Sequence, residues 1–261
     1  MSLIGEERKE YILNQINSEG KVTTNELVEV LRVSAETIRR YLEDLEEDNK
    51  LKRVYGGAVK INRSREEPSH MNREVLNADE KRKIGKAAAA LVEDNEVIFI
   101  DDGSTTLQMV EHLLDKEYLT ILTNSIPALF ALIDYKNRDL YSGEIFFIGG
   151  KVSSLQSRVV GSLAESMVEH FYADKAFISI DGMMIDKGVT SFDEERGQLA
   201  RKMMEHARMN IVVADHSKIG LVQFYKMSDL QGIDVIVSGV PAPDDWKAEL
   251  ERVCAQWIVS E

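Results

Sequence analysis

Short apolar runs alternate with helical segments over most of this chain, and this alternation constrains the fold more than any other feature. A short apolar run of three to five residues fits a strand that is buried on both faces of a sheet. Strands that alternate with helices predict a mostly parallel sheet in a Rossmann-like α/β domain. The runs lie at residues 97–100, 119–122, 145–148, 176–180, 211–213 and 235–237, and the helical segments lie near 79–91, 105–114, 128–133, 162–171 and 194–208.

Polar or glycine-rich clusters follow five of these predicted strands. Ligands of parallel sheets bind beyond the C-terminal ends of the strands, where such clusters meet. Small residues, hydroxyl groups and the unpaired N–H groups of a helix start suit a phosphate. Each cluster alone is also compatible with an ordinary helix cap, but five at one edge favour a ligand site. The clusters are Asp101-Asp102-Gly103-Ser104-Thr105-Thr106, Thr123-Asn124-Ser125, Gly149-Gly150-Lys151, Asp181-Gly182 and Asp215-His216-Ser217-Lys218.

The first sixty residues contain three helical patterns, and the second and third have recognisable caps. Thr23 and Glu26 have the spacing of a capping box at the start of the second helix. Ser34 is the expected N-cap of the third helix, which extends to about residue 49. An apolar stripe along the third helix predicts that it packs against the other two. The stripe consists of Ile38, Leu42 and Leu45.

The exposed start of the third helix carries Thr37, Arg39 and Arg40. A recognition helix reads the major groove with this end, and arginine can contact guanine with two hydrogen bonds. The alternative is a surface pair between Glu36 and Arg40, four residues apart. The spacing alone leaves both interpretations open.

A hairpin is predicted directly after the third helix, from strands at residues 51–55 and 58–61 with Gly56-Gly57 as the turn. A hairpin in this place is a wing, and Lys52 and Arg53 give it positive charge for DNA phosphates. The net charge of −13 argues against nucleic-acid binding over the whole surface. Residues 1–60, however, contain ten Lys and Arg against twelve Asp and Glu, so this region remains compatible with DNA.

The N-terminal residues resemble the DeoR/GlpR family of bacterial repressors. Two departures occur: Tyr41 stands where the family usually has Asp, and Tyr55 where it usually has His. Neither departure removes a basic residue, so the recognition helix remains the interpretation of residues 35–49. The matching residues are Val33-Ser34-Ala35-Glu36-Thr37-Ile38-Arg39-Arg40, Leu42, Leu45, Lys52-Arg53 and Tyr55-Gly56-Gly57-Ala58.

The clusters that follow the strands resemble the DeoR-type sensor domain, which is related to ribose-phosphate isomerases and CoA transferases. The resemblance implies a sugar-phosphate effector, with residues 103–106 holding its phosphate. It also implies that Asn124, Asp181 and Lys218 contact the sugar or its phosphate. The matching residues are Asp102-Gly103-Ser104-Thr105-Thr106, Leu122-Thr123-Asn124-Ser125, Ile148-Gly149-Gly150, Val160-Gly161, Ala176-Phe177, Asp181-Gly182 and Asp215-His216-Ser217-Lys218-Ile219-Gly220.

The sequence therefore predicts a cytoplasmic transcriptional regulator, a repressor of sugar-catabolism genes that is a homodimer or homotetramer. Its expected partners are operator DNA and a phosphorylated sugar, and no membrane, metal, cofactor or catalytic residue is expected. The alternative is a sugar-phosphate isomerase-like enzyme with a DNA-binding appendage, whose base would be Asp181, Glu194 or Glu195.

The predicted domains are a winged helix-turn-helix at 1–60, a linker at 61–78 and an effector domain at 79–261. The predicted DNA-binding residues are Ser34, Thr37, Arg39, Arg40, Lys52, Arg53, Tyr55, Gly56 and Gly57. The predicted effector-binding residues are Asp102, Gly103, Ser104, Thr105, Thr106, Thr123, Asn124, Ser125, Gly149, Gly150, Asp181, Gly182 and Lys218.

Overall fold

A computed structural model describes residues 5–19, 21–48, 50–54, 56–59 and 67–261 of the chain. For residues 17–19, 52 and 59 the description covers the backbone alone. The chain divides into two compact units, and the second unit begins at Glu67.

The described part of the first unit contains three helices and three short strands. The Thr23 hydroxyl accepts the N–H of Glu26, and the Glu26 carboxylate accepts the N–H of Thr23, so the predicted capping box is confirmed. The side chain of Ser34 accepts the N–H of Thr37 and starts the third helix, as predicted. The elements are α1 (Gly5–Glu19), β1 (Lys21–Thr23), α2 (Thr24–Leu31), α3 (Ala35–Glu47), β2 (Lys52–Val54) and β3 (Gly57–Val59).

The wing is a three-stranded antiparallel sheet in the order β1-β3-β2, and β1 is a strand that the sequence did not predict. Gly56 has a φ of +83° and lies in the turn, as expected. Gly57 is not a turn residue, because it pairs with Val54 on one side and Thr23 on the other. A Cβ atom on Gly57 would lie 2.1 Å from the carbonyl oxygen of Val22, so only glycine allows β1 to approach this closely.

The second unit is built from strands that alternate with helices. Its helices are α4 (His70–Val75), α5 (Ala78–Ala89), α6 (Ile126–Asn137), α7 (Ser162–Val168), α8 (Glu194–Glu205) and α9 (Lys247–Arg252). Its strands are β4 (Val97–Ile100), β5 (Thr120–Thr123), β6 (Glu144–Phe147), β7 (Lys151–Ser153), β8 (Arg158–Val160), β9 (Ala173–Ser179), β10 (Gly182–Met184), β11 (Gly188–Ser191), β12 (Ala207–Ala214), β13 (Tyr225–Ser228), β14 (Val235–Ser238) and β15 (Gln256–Val259). Short 3₁₀ helices lie at Thr106–His112, His216–Lys218, Leu230–Gly232 and Asp244–Trp246.

Seven of these strands form one parallel sheet in the order β15-β14-β12-β9-β4-β5-β6. The chain order runs outward in both directions from β4 and β9, so the topological switch point of the sheet lies between these two strands. All six predicted strands belong to this sheet, which confirms the predicted architecture. Two small antiparallel sheets, β7-β8 and β10-β11-β13, were not expected from the sequence.

Two hydrophobic cores cover opposite faces of the sheet, because successive side chains of a strand point to opposite faces. Ile98 and Ile100 of β4 belong to one core, together with residues of α5, α6 and the first 3₁₀ helix. Phe99 belongs to the other core, together with residues of α7, α8 and α9. Within the described residues, no helix is both long and apolar enough to cross a membrane.

The segment predicted as a linker differs from the expectation over residues 67–78. These residues belong to the second unit and include α4 and the first residue of α5. His70 and Arg73 of α4 are buried although both are polar. Because this segment is held by charged and polar contacts, its apolar periodicity is weak and resembles that of a linker. Residues 61–66 lie outside the described part of the chain.

Candidate functional site

The N-terminal end of α3 presents an exposed cation. Arg40 is exposed and makes no ion pair with any described residue, whereas Arg39 pairs with Glu36 at 3.1 Å. The alternative Glu36–Arg40 pair is therefore wrong. The hydroxyls of Ser34 and Thr37 share a hydrogen bond of 2.9 Å, so both belong to the helix cap.

Among the described side chains of the wing, Arg53 is paired with an acidic neighbour. The guanidinium of Arg53 pairs with Glu43 of α3 at 3.3 Å, and the backbone N–H of Arg53 donates to the carboxylate of Glu46. Its guanidinium is therefore partly neutralised by α3. The side chain of Lys52 and all of Tyr55 lie outside the described residues, so their predicted DNA contacts stay predictions.

One buried arginine binds three carboxylates at the switch point of the sheet. Arg196 of α8 lies 3.2 Å from Asp101 and 3.4 Å from Asp102, which follow β4. It also lies 2.9 Å from Asp181, which follows β9. Only 1 % of the Arg196 side chain is exposed. A buried charge survives only with such partners, so Arg196 holds the ends of the two central strands together.

Sequence reasoning missed Arg196, although a signal was present. It lies on the same side of α8 as Leu199, Ala200 and Met203, which are all buried. A charged residue at i, i+3, i+4 and i+7 spacing with apolar residues points into the protein. Such a residue needs a buried counter-charge, and Asp102 and Asp181 were already candidates.

A second buried arginine, Arg158 of β8, extends this group of charges. It lies 3.2 Å from Asp102 and 2.8 Å from Glu67. Arg73 of α4 also binds Glu67, at 3.1 Å. We call the seven residues together the ion cluster. Its members are Glu67, Arg73, Asp101, Asp102, Arg158, Asp181 and Arg196.

The arginines keep two of these carboxyls ionised. Burial by itself would raise the pKa of Asp102, but Arg158 and Arg196 outweigh it and hold the pKa well below its usual range. Burial also opposes ionisation of Asp181, and Arg196 followed by Lys218 lowers the pKa of that carboxyl. Both groups are therefore acceptors of hydrogen bonds at neutral pH, not donors.

The loop after β4 offers unpaired donors beside the ion cluster. Asp101 shapes this loop by accepting the N–H of Gly103 at 3.0 Å and the hydroxyl of Thr106 at 2.7 Å. The hydroxyls and N–H groups of Ser104 and Thr105 bind no described residue. These residues lie at the start of the predicted helix, which is a 3₁₀ helix from Thr106 to His112. N–H groups at the start of a helix have no intrahelical partner.

The polar residues after β5 divide into structural and available groups. The Thr123 hydroxyl accepts the N–H of Ser125, and the Ser125 hydroxyl caps α6 by accepting the N–H of Ala128. Asn124 donates to the carbonyl of Val159 at 2.9 Å, whereas its Oδ1 atom is buried and has no partner within the described structure. Of these three predicted residues, Asn124 is the one with an open polar atom.

Four glycines are among the predicted effector-binding residues, and the structure shows where each lies. Gly149 and Gly150 follow β6, the edge strand, which lies two strands away from β4. A Cβ atom on Gly182 would lie 2.7 Å from the carbonyl oxygen of Leu221, so this glycine allows close packing of β10. Gly103 similarly lies against Ser179 of β9.

Lys218 and Asp181 offer complementary open groups. Asp181 uses its Oδ2 atom for Arg196, Phe192 and Ser191, and its Oδ1 atom binds no described residue. The backbone N–H of Lys218 donates to the carbonyl of Asp215 at 3.1 Å, whereas its ammonium group makes no ion pair or hydrogen bond with another described residue. Its positive charge contributes to lowering the pKa values of Asp181 and Asp215. This arrangement can bind an anion and a hydroxyl group side by side.

A buried lysine that sequence reasoning missed lies close to Asp215. Lys81 of α5 donates to the carbonyl of Arg73, and its ammonium lies 4.0 Å from Asp215. Burial lowers the pKa of Lys81 to about 8. Its position on the apolar side of α5, beside buried Ile84 and Ala88, was the available signal.

Potential metal ligands meet at one place in the described residues, although no metal site was predicted. Glu80, Asp215 and His216 have potential ligand atoms within 4.8 Å of one another. These atoms are already used, because the His216 ring is hydrogen-bonded to Glu80 at 2.6 Å and Asp215 accepts from Asn77 and Ser217. The nearby ammonium of Lys81 also opposes a cation.

Comparison with known proteins gives the following likenesses. Residues 8–64 match the family described as "DeoR-like helix-turn-helix domain", and residues 76–239 match "DeoR C terminal sensor domain". The "HTH-type transcriptional repressor GlcR" of Bacillus subtilis is 34% identical over 89% of this chain and 88% of its own length. The "HTH-type transcriptional regulator IolR" of the same organism is 32% identical over 92% of each chain. Ribose 5-phosphate isomerase A from Methanocaldococcus jannaschii superposes on 55% of each chain with 18% identity and a TM-score of 0.40.

Proposed function

This chain belongs to the DeoR family of HTH-type transcriptional regulators, and from that premise we propose that it represses sugar-catabolism genes under the control of a phosphorylated sugar. A regulator of this kind works in the cytoplasm, where its operator is. Recognition helices are commonly used in pairs on two half-sites, so we propose a homodimer or homotetramer with closed symmetry.

We propose that α3 enters the major groove and that Arg40 reads a base. The support is that Arg40 is exposed at the start of α3 and has no described ion-pair partner, whereas Arg39 and Arg53 have acidic neighbours. The wing residues Lys52 and Tyr55 would contact phosphates.

Arg40→Ala is expected to weaken binding to the operator by about 1–3 kcal/mol, with a smaller loss on scrambled DNA. Lys52→Ala is expected to weaken both DNAs equally and to reduce the slope of log K against log salt by about one unit. The measurement is fluorescence anisotropy at several salt concentrations, with an operator obtained by in vitro selection. Unchanged operator affinity in both variants would contradict the assignment of this surface.

For the effector, the observation that carries the proposal is the group of open polar atoms around the ion cluster. Ser104 and Thr105 would donate to the phosphate from one side, and the Lys218 ammonium would bind it from another. The open Oδ1 atoms of Asn124 and Asp181 would accept hydrogen bonds from sugar hydroxyls. Arg196 keeps Asp181 ionised for this role.

A thermal shift screen tests this assignment directly. The panel consists of ribose 5-phosphate, glucose 6-phosphate, fructose 1-phosphate and fructose 6-phosphate, with the four unphosphorylated sugars as matched controls. A specific ligand at a hundredfold excess over its Kd is expected to raise the Tm by roughly 5–10 °C. Equal responses to a sugar and its phosphate would show that phosphate is not recognised.

We propose that the second unit has no isomerase activity. The candidate bases are poorly suited to proton abstraction, because Arg196 lowers the pKa of Asp181 and so makes it a weak base, and Glu195 pairs with Lys151 at 2.7 Å. Glu194 binds Gln198 on the surface of α8. Incubation of the purified protein with pentose and hexose phosphates should give no isomer above the uncatalysed rate, and turnover would favour the enzyme alternative.

A further inference from the structure

The first residue of the second unit is anchored by charge. The Glu67 carboxylate accepts a hydrogen bond of 2.8 Å from Arg158, its second oxygen lies 2.8 Å from the same guanidinium, and Arg73 lies 3.1 Å away. The carbonyl of Glu67 accepts a hydrogen bond from Gln156. Only 6 % of the Glu67 side chain is exposed. Glu67 is therefore fastened to the rest of the second unit by ion pairs and a backbone hydrogen bond.

Arg158 connects this anchor to the loop that would hold the phosphate. Besides Glu67, it lies 3.2 Å from Asp102 and 3.3 Å from Asp193, and Asp102 is two residues before the open groups of Ser104. Its backbone forms a bridge with Ser125, next to the unpartnered Oδ1 atom of Asn124. The Nε atom of Arg158 is itself buried and has no hydrogen-bond partner in the described structure. Arg158 thus has capacity for a further acceptor.

We propose that Arg158 is the coupling residue of the switch: the effector phosphate draws Arg158 away from Glu67 and thereby releases the segment 67–75, which leads to the DNA-binding unit. This inference rests on the proposed phosphate site. A dianion beside Arg158 competes with the single charge of Glu67 for the same guanidinium. Of its two arginine partners, Glu67 then retains only Arg73. A single cation compensates the charge of a buried carboxylate poorly.

Linkage makes the proposal testable with inorganic phosphate as the probe. If phosphate binding weakens the Glu67–Arg158 pair, then removing that pair must strengthen phosphate binding by the same factor. Glu67→Gln is therefore expected to lower the phosphate concentration at half-saturation by about fivefold or more. A purely structural role for Glu67 predicts weaker or unchanged binding instead. Glu74→Gln is the matched control, because Glu74 lies on the same segment, 3.7 Å from His70 and outside the ion cluster.

Hydrogen exchange of the full chain supplies a second measurement. Saturating phosphate is expected to speed amide exchange in residues 67–75 by about fivefold or more in the parent protein and in Glu74→Gln. In Glu67→Gln this exchange should already be fast and should not respond. Phosphate binding is detected by a Tm shift. If phosphate binds but does not change the exchange of residues 67–75, and if Glu67→Gln has the same half-saturating phosphate concentration as the parent protein, the coupling is wrong while the phosphate site stands. Absence of any Tm shift in the millimolar range of phosphate would overturn the phosphate site and the coupling with it.

Discussion

Arg196→Met is expected to lower the free energy of unfolding of the second unit by about 3–5 kcal/mol, the cost of breaking a buried ion network by removing one partner. Methionine fills a similar volume, so the loss is electrostatic and not a cavity effect. Asp101, Asp102 and Asp181 would be left without their shared cation in the interior. Urea denaturation followed by circular dichroism measures the change.

The loss of stability in Arg196→Met should become smaller as the pH is lowered from neutrality towards the range in which carboxyl groups titrate. In the parent protein the arginines depress the pKa values of Asp102 and Asp181, so their stabilisation is present above the unfolded pKa and is lost only in strong acid. Without Arg196 these carboxyls take up protons at higher pH, which relieves their repulsion. Arg208→Met is the control, since this side chain is 86 % exposed and its pair with Asp174 is worth less than about 1 kcal/mol. Equal losses in the two variants would show that the ion cluster does not stabilise the unit.

Lys218→Ala is expected to raise the Kd of the effector by about 10–150-fold, the loss of a charged hydrogen bond of about 1.5–3 kcal/mol. Affinity for the operator without effector should stay unchanged, because Lys218 belongs to the second unit and the recognition helix to the first. Titration of the repressor–operator complex with the sugar phosphate found by thermal shift measures the midpoint of the response.

Lys187→Ala is the matched control for Lys218→Ala, because Lys187 is exposed and pairs only with its neighbour Asp186 among the described residues. The effector midpoint of Lys187→Ala should equal that of the parent protein. A folded Lys218→Ala protein with the same midpoint would mean that the phosphate is held elsewhere, and that Lys218 is no more than a surface charge.

Local signals explain what could be predicted from the sequence. The caps at Thr23 and Ser34 involve residues three positions apart, so their hydrogen bonds can be inferred from spacing. The apolar runs of the parallel sheet are equally local, because both faces of each strand are buried. The clusters after β4 and β9 followed from the general position of ligands in such sheets.

The ion cluster could not be predicted because its partners are far apart along the chain. Arg196 meets Asp101, and Arg158 meets Glu67, across more than ninety residues each. A charged side chain on a helix or strand ordinarily indicates a solvated face, so Arg73 and Arg158 carried no obvious signal. The signal at Arg196 indicated burial but did not identify its partners. Thr106, Thr123 and Ser125 show the converse, since hydroxyls that suit a ligand instead satisfy the backbone and neighbouring carboxylates.

The order of strands also bears on how a newly made chain acquires its activities. The two central strands are β4 and β9, and Ile98 of β4 pairs with Lys175 of β9. The parallel sheet therefore cannot assemble until β9 has been synthesised. The helices and wing of the first unit need no residue beyond 66, and N-terminal units fold first during translation. We therefore expect the recognition helix to be folded while the ribosome is still producing the second unit. We expect a chain that stops before β9 to contain a folded DNA-binding unit that does not respond to the effector.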